Sequence, residues 1–434
     1  MKYFYLFLLI AFSATSFNQT EDNLPLLGDP SSAAISLSGE YELGRLWLSI
    51  FRSSVKEYED PLTTTYLEDL IYRISETSEV RDRRYEFVIV DDESINAFAA
   101  PGGIIGVNKG MFLKTDFESE FASVMCHELA HLSQRHFARS QSQMTALGNA
   151  LLILGSVAVA AASGSPEGIY LGPALIQQLS INYTRSNERE ADRIGFNNLV
   201  RAGFDPKGMS SMFQKLQKSR GNNDEEYSYL MSHPLPKERI TDARLRESEI
   251  KKENEYRDSL DFYLIKARSI VSSSSNVRDL IKGYQNILSS NLDQKSIIAA
   301  EYGLVLSYKK LKNFPVAFKA LRNLLDQLPD NLIFQTTLME LHLAEENNFE
   351  AVSVGETLLG LNQDNYAISK ILARAYLQNN QPKDAEGILI ELSRNKPSDP
   401  SVWYELAEAQ GLSGNILGLH LSLIHISEPT RPST

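Results

Sequence analysis

The run His127-Glu128-Leu129-Ala130-His131 sets two imidazoles four positions apart, with a carboxylate beside the first. On an α-helix, positions i and i+4 share one face, so both rings can bind a single zinc ion. Glu128 can then reach a water in the open coordination position and accept its proton. The surroundings ask for a helix, because Phe121, Val124, Met125, Leu129 and Leu132 are apolar at three- and four-residue spacings. The chain has only seven histidines, so a chance match is on the order of one per cent. His136 lies five residues past His131. A continuing helix would rotate it by about 140° off the ligand face, and it is read as non-ligating.

A catalytic zinc takes three protein ligands and keeps one exchangeable position. The best source of the third ligand is Asn187-Glu188-Arg189-Glu190-Ala191-Asp192. Glu188 and Asp192 share a helical face, whereas Glu190 points roughly the other way. One carboxylate binds the metal while the other steadies a histidine from behind, and spacing does not assign the two roles. Without the upstream motif the same run would read as a solvated helix face. A further histidine stands in His233-Pro234-Leu235-Pro236-Lys237-Glu238-Arg239, presented on a proline-stiffened loop. It could donate to a tetrahedral oxyanion, occupy the open position on zinc and hold the enzyme latent, or simply be exposed where a helix starts.

The elements that position these groups follow from pattern. Ser38 to Ser75 carries helical spacing, and Tyr85 to Val90 reads as a strand. Asn96 to Val107 reads as two short strands around Pro101-Gly102-Gly103. An edge strand here could pair with an extended peptide through its backbone; an ordinary core hairpin is the alternative. Helical pattern runs from Glu118 to about Met144 and resumes from Leu175, while charged Thr241 to Arg257 reads as a connector. The apolar stretch Leu151 to Ala162 falls short of the ~20 residues of a membrane span. It is expected to be a buried or membrane-grazing helix, which leaves peripheral membrane contact open.

The last third repeats. Ala317, Ala351 and Ala385 are 34 residues apart, and Tyr308/Tyr376 and Pro329/Pro397 are each separated by two such periods. That period is the signature of tetratricopeptide helix pairs, with alanine where helices cross and proline ending the second helix. Three units and a fragment beginning near Trp403 and Ala407 are expected, with a degenerate earlier unit around Ala267 to Leu288.

Composition and ends set the compartment. The 434 residues suffice for two or three domains, and 43% hydrophobic with 23% charged residues is ordinary for a globular protein. A net charge of -12 with no basic stretch argues against nucleic acid as a partner. The one cysteine, Cys126, excludes an internal disulfide and reads as a small buried hydrophobe. Lys2, the apolar run Tyr3 to Phe12, and small Ala14 and Ser16 read as a secretory signal cleaved before Phe17. Leu421 to Arg431, LSLIHISEPTR, looks like a translated sequencing adapter, so the native sequence is expected to end near His420 and His425 carries no functional weight.

HELAH at 127 to 131 and EREAD at 188 to 192 resemble the gluzincin metallopeptidases, which include the prenyl-protein CAAX proteases and the bacterial heat-shock membrane protease. The resemblance implies that Glu188 is the third zinc ligand and that Asp192 backs it from behind. AFAAPGG at 97 to 103 and HPLPKER at 233 to 239 extend the likeness over nearly the whole mature chain. They point to the exported branch with C-terminal tetratricopeptide repeats. That branch implies His233 acting at the site with Arg239 nearby, and a periplasmic role in quality control of outer-membrane β-barrel assembly. Its implied partners are unfolded or misassembled proteins as substrates and the assembly machinery on the repeats. The repeats here stop early, and the spanning helices of membrane-bound relatives are absent.

The expectation is therefore an α+β zincin-like metalloprotease domain followed by an all-α tetratricopeptide-repeat solenoid. Residues 1–16 are the signal, 17–250 the peptidase, 251–420 the truncated repeats and 421–434 the adapter-derived tail. One zinc ion would be held by His127, His131 and Glu188, with Glu128, His233 and Arg239 in catalysis and Asp192 behind the ligands. The rival expectation is a chaperone or scaffold for outer-membrane assembly whose proteolysis is latent.

Overall fold

A computed structural model describes residues 35–143, 184–219, 228–250, 256, 258–290 and 292–427. The expected signal, the apolar stretch Leu151 to Ala162 and the final residues 428–434 lie outside the described residues.

Helix α1 (Leu37–Ser54) starts at Ser36, whose hydroxyl accepts from Gly39 N–H, and buries Gly44, Trp47, Leu48 and Phe51 at three- and four-residue steps. Helix α2 (Pro61–Glu76) is capped by Asp60, whose carboxylate accepts from the Leu62 and Thr63 amides. Three strands follow: β1 (Glu86–Val90), β2 (Ala97–Ala100) and β3 (Ile104–Asn108). β3 is central, parallel to β1 and antiparallel to β2. The β2–β3 turn needs Gly102 and Gly103, whose φ values of 76° and 78° suit residues without a Cβ. Trp47, Phe51 and Phe98 pack with Val88, Ala100 and Ile104 on one face of the sheet. β2 is an edge, with no second strand beside it among the described residues.

A short helix α3 (Gly110–Lys114) leads to α4 (Glu118–Ser133), of which residues 118–131 are buried throughout. Helix α5 (His136–Gln143) follows after a two-residue break. Thr184 then caps α6 (Arg185–Arg201), and α7 (Lys207–Ser219), α8 (Ser228–Ser232) and α9 (Lys237–Glu249) complete the peptidase part. α6 crosses α4 at Gly195, where a Cβ would stand 3.0 Å from Cys126 O. The small residue is what lets the two helices approach. The connector expected from Thr241 is a correction: α9 runs on to Glu249, burying Arg239, Ile240 and Ala243 while most of its other charged residues face outward.

The rest is a stack of helix pairs: α10 (Leu260–Ser273) with α11 (Val277–Leu288), α12 (Gln294–Lys310) with α13 (Phe314–Gln327), and α14 (Leu332–Ala344) with α15 (Asn348–Leu361). Then come α16 (Tyr366–Gln378) with α17 (Pro382–Asn395), and α18 (Pro400–Ser413) with α19 (Ile416–Ser427). Ala317, Ala351 and Ala385 are fully buried on the second helices. Two further series keep the same 34-residue step. Lys312, Glu346 and Asn380 turn each pair with positive φ, and Asn331, Asn365 and Asp399 cap each following helix. The array folds back on the peptidase part. Arg268 Nε lies 2.8 Å from Asp60 Oδ2 and its Nη2 2.8 Å from Glu340 Oε1, while Lys396 Nζ lies 2.6 Å from Glu68 Oε1. One hydrophobic core runs from Leu62 to Ala367 across both parts. Among the described residues no helix is long and apolar enough to cross a membrane. The α+β peptidase part followed by an all-α repeat array is the expected fold class.

Candidate metal centre

α4 presents His127, Glu128 and His131 toward the first turn of α6, all at most 2% exposed. His131 Nε2 lies 3.0 Å from His127 Nε2, and Glu188 Oε1 lies 3.4 Å from His131 Nε2. His233 enters from the end of α8. Its backbone N–H bonds Tyr229 O at 2.8 Å, and Pro234 stops the helix there. Its Nδ1 lies 3.1 Å from Glu188 Oε1 and 3.4 Å from His127 Nε2. The four donor atoms fit within 4.8 Å of one another.

This donor set fits a zinc ion. Four tetrahedral donors, each 2.0–2.1 Å from zinc, stand about 3.3 Å apart, which the distances above bracket. With the proton of each ring on Nδ1, the two Nε2 lone pairs face each other at 3.0 Å, an arrangement that a shared cation satisfies. Glu128 stands beside the cluster, with Oε1 3.5 Å from His233 Nε2 and Oε2 buried without a hydrogen-bond partner.

Arg239, in the first turn of α9 and 3% exposed, binds both Asp192 oxygens at 2.6 and 2.7 Å. Its Nη1 also donates to Glu188 Oε2 at 2.6 Å and to Pro234 O at 2.7 Å. One guanidinium therefore orients two carboxylates and the loop that carries His233. Asp192 Oδ1 stands 3.1 Å behind His127 Nδ1 without the alignment of a formed hydrogen bond. Burial alone would raise the Glu188 carboxyl and depress His127. The imidazoles of His127, His131 and His233 around it instead hold Glu188 far below the carboxylate range, and Asp192 and Glu188 raise His127 to about 9. Burial prevails at Glu128, which is raised despite His233 and His127, and at His131, which is held well down.

All seven residues singled out in the sequence meet here. Two neighbours carried no signal of their own. Tyr229 stacks on His233 with ring centroids 4.6 Å apart, and its hydroxyl points at Glu128 Oε1 from 3.5 Å. It precedes His233 by one helical turn, the only sequence hint. His136 adds no atom to the four-residue cluster, yet it is fully buried with its Nδ1 2.8 Å from His131 Nδ1. A continuous helix would turn it away from His131. α4 ends at Ser133, and Arg135, at φ 49°, swings the chain back beneath His131. Cys126 is buried with no exposure, and burial pushes its thiol up, as a packing role requires.

Residues 61–247 match peptidase family M48, and residues 342–409 match a tetratricopeptide repeat. Fold and site together define a zinc metalloendopeptidase joined to tetratricopeptide repeats. Over 414 residues the chain is 31% identical to the β-barrel assembly-enhancing protease of Escherichia coli K12, spanning 93% of this chain and 83% of that protein. A protease of the same name from Yersinia pestis is 31% identical over 398 residues, 91% of this chain and 82% of its own. A mitochondrial metalloendopeptidase of Schizosaccharomyces pombe is 29% identical over 217 residues, 48% of this chain and 63% of its own. The chain belongs to peptidase family M48, in the branch that carries tetratricopeptide repeats.

Proposed function

We propose that His127, His131 and Glu188 hold one catalytic zinc ion and that the enzyme cleaves unfolded or misassembled outer-membrane β-barrel proteins in the periplasm. The observation that carries the site is the convergence of those donors at 3.0–3.6 Å in a buried place, with Glu128 beside them. A zinc ion bound there supplies Lewis-acid activation of water and of the scissile carbonyl. Glu128 takes the proton of the attacking water and passes it to the leaving amine. Asp192 and Arg239 hold His127 and Glu188 in register, so no reorganisation is needed as charge develops. The free edge of β2 suits an extended substrate paired through its backbone, independent of side-chain sequence. The target class rests on the names of the relatives from Escherichia coli and Yersinia pestis, and the compartment on the secretory signal read at residues 1–16. The repeats are the surface for the barrel-assembly machinery.

A second reading has its own observation. His233 Nδ1 is a fourth member of the donor cluster, so in this conformation it takes the position a substrate carbonyl needs. The enzyme is then latent, and the repeats act as a scaffold until His233 withdraws. Zinc-loaded protein incubated with an unfolded outer-membrane barrel protein tests both readings. Wild type is expected to cleave it, with Glu128→Gln slower by about 10²–10⁴-fold. His233→Ala raises the rate if the histidine blocks and lowers it if the histidine serves the transition state. Equal cleavage by wild type and Glu128→Gln would remove the peptidase assignment of this site.

A further inference from the structure

Each imidazole of the helical pair has a second nitrogen facing away from the cluster, and what that nitrogen meets decides which tautomer it holds. For His127 the answer is Asp192, 3.1 Å from Nδ1. For His131 it is another histidine: His136 Nδ1 lies 2.8 Å from His131 Nδ1, with the two ring planes at 73°. Beyond it, His136 Nε2 lies 3.1 Å from Glu190 Oε2, and the same oxygen accepts from Arg139 Nη1 at 3.1 Å.

The direction of this chain follows from which groups can donate. A carboxylate beside a guanidinium only accepts, so His136 Nε2 must carry a proton and donate it to Glu190. A neutral imidazole has one N–H, which leaves His136 Nδ1 as an acceptor. His131 Nδ1 then donates, and its lone pair is fixed on Nε2, the atom that faces the cluster. We infer that His136 and Glu190 are positioning residues that set the tautomer and ring angle of His131 for metal binding. This rests on the reading of His131 as a zinc ligand.

The backbone is built for this contact. Arg135 takes its left-handed turn between α4 and α5 and is held there by Glu40, whose Oε2 accepts from Arg135 Nε at 3.0 Å. That turn brings His136, with no exposure at all, under His131. The inference also accounts for three acidic residues on alternate positions of α6. Glu188 faces the cluster, Asp192 stands behind His127, and Glu190 reaches His131 through His136. Partners of this kind carry about 10–100-fold in metal affinity.

The test is zinc release from full-length protein, followed with a chromogenic chelator, in His136→Ala, His136→Gln, Glu190→Gln and His131→Ala, with melting of the zinc-free proteins alongside. Expected are tenfold or greater acceleration in His136→Ala and several-fold in Glu190→Gln. His136→Gln, whose amide oxygen can still accept from His131 Nδ1, should release zinc near the wild-type rate. Glu190 is part-exposed, so its variant folds and keeps the test valid if His136→Ala does not. If His131→Ala releases zinc early while His136→Ala and Glu190→Gln match wild type, the inference is overturned and the zinc site stands. If His136→Ala and His136→Gln release equally fast, the role is packing and the inference is overturned. If His131→Ala also matches wild type, the site reading itself has failed.

Discussion

The repeat array and the metal centre both press helices tightly together, and they fill the contact with opposite materials. In the array, Ala317, Ala351 and Ala385 leave a methyl group at each crossing and no polar atom to satisfy. At the centre, α6 meets α4 through Gly195, and the space beside that contact holds Glu128, Glu188, Asp192, Arg239 and three imidazoles, all at most 9% exposed. Alanine contacts are repaid one neighbour at a time, so damage stays local. Buried charges are repaid only by one another, so the loss of one strands the rest. A catalytic site accepts that fragility because the same low-dielectric surroundings strengthen its chemistry.

The sharpest way to break this contrast is Arg239→Ala. It leaves two buried carboxylates facing each other and should cost about 3–5 kcal/mol in denaturant unfolding of the zinc-free protein. A cost near that of a surface substitution would mean that the centre is not held by its charges. The junction between the two parts offers a pH test of next size. Burial would raise Glu340, but Arg268 and Lys309 hold it down to about 2 against an ordinary 4.5. A depressed carboxyl stabilises the fold fully above its unfolded value and loses that contribution as pH falls through its folded one. The advantage of wild type over Glu340→Gln, on the order of 2 kcal/mol, should therefore shrink from pH 5 toward pH 2. An advantage that is flat across that range would sink the pairing. Ala385→Leu should overpack one crossing at about 1–3 kcal/mol while leaving zinc affinity unchanged. Smallest is Asn365→Ala, which removes the cap on α16 and should cost about 1 kcal/mol.

The two regions also differ in how far their sequences could be read. The array is legible by its period; the degenerate earlier unit expected around Ala267 to Leu288 overlaps the first pair, Leu260–Ser273 with Val277–Leu288, whose start lies before those bounds. The capping series at Asn331, Asn365 and Asp399 is equally regular, but Asn and Asp suit turns as well as helix starts, so residue type alone does not mark them as caps. At the centre the HExxH spacing is local and was legible, as was the strand and hairpin pattern beneath it. The assignment of Glu188 and Asp192 needed a resemblance, since one helical face offers both. His136 was out of reach: its place depends on a left-handed residue at Arg135, and nothing in that side chain announces one. Helix α9 was misread because only Ile240 and Ala243 of its apolar residues are buried, too few to show a period.

The division of labour at the centre is tested most directly by zinc content after dialysis against a chelator, measured for wild type, Glu128→Gln and Glu188→Ala. Wild type and Glu128→Gln should each retain one zinc ion per chain, and Glu188→Ala should retain none. Zinc lost from Glu128→Gln, or retained at full occupancy by Glu188→Ala, would contradict the assignment of ligand and base.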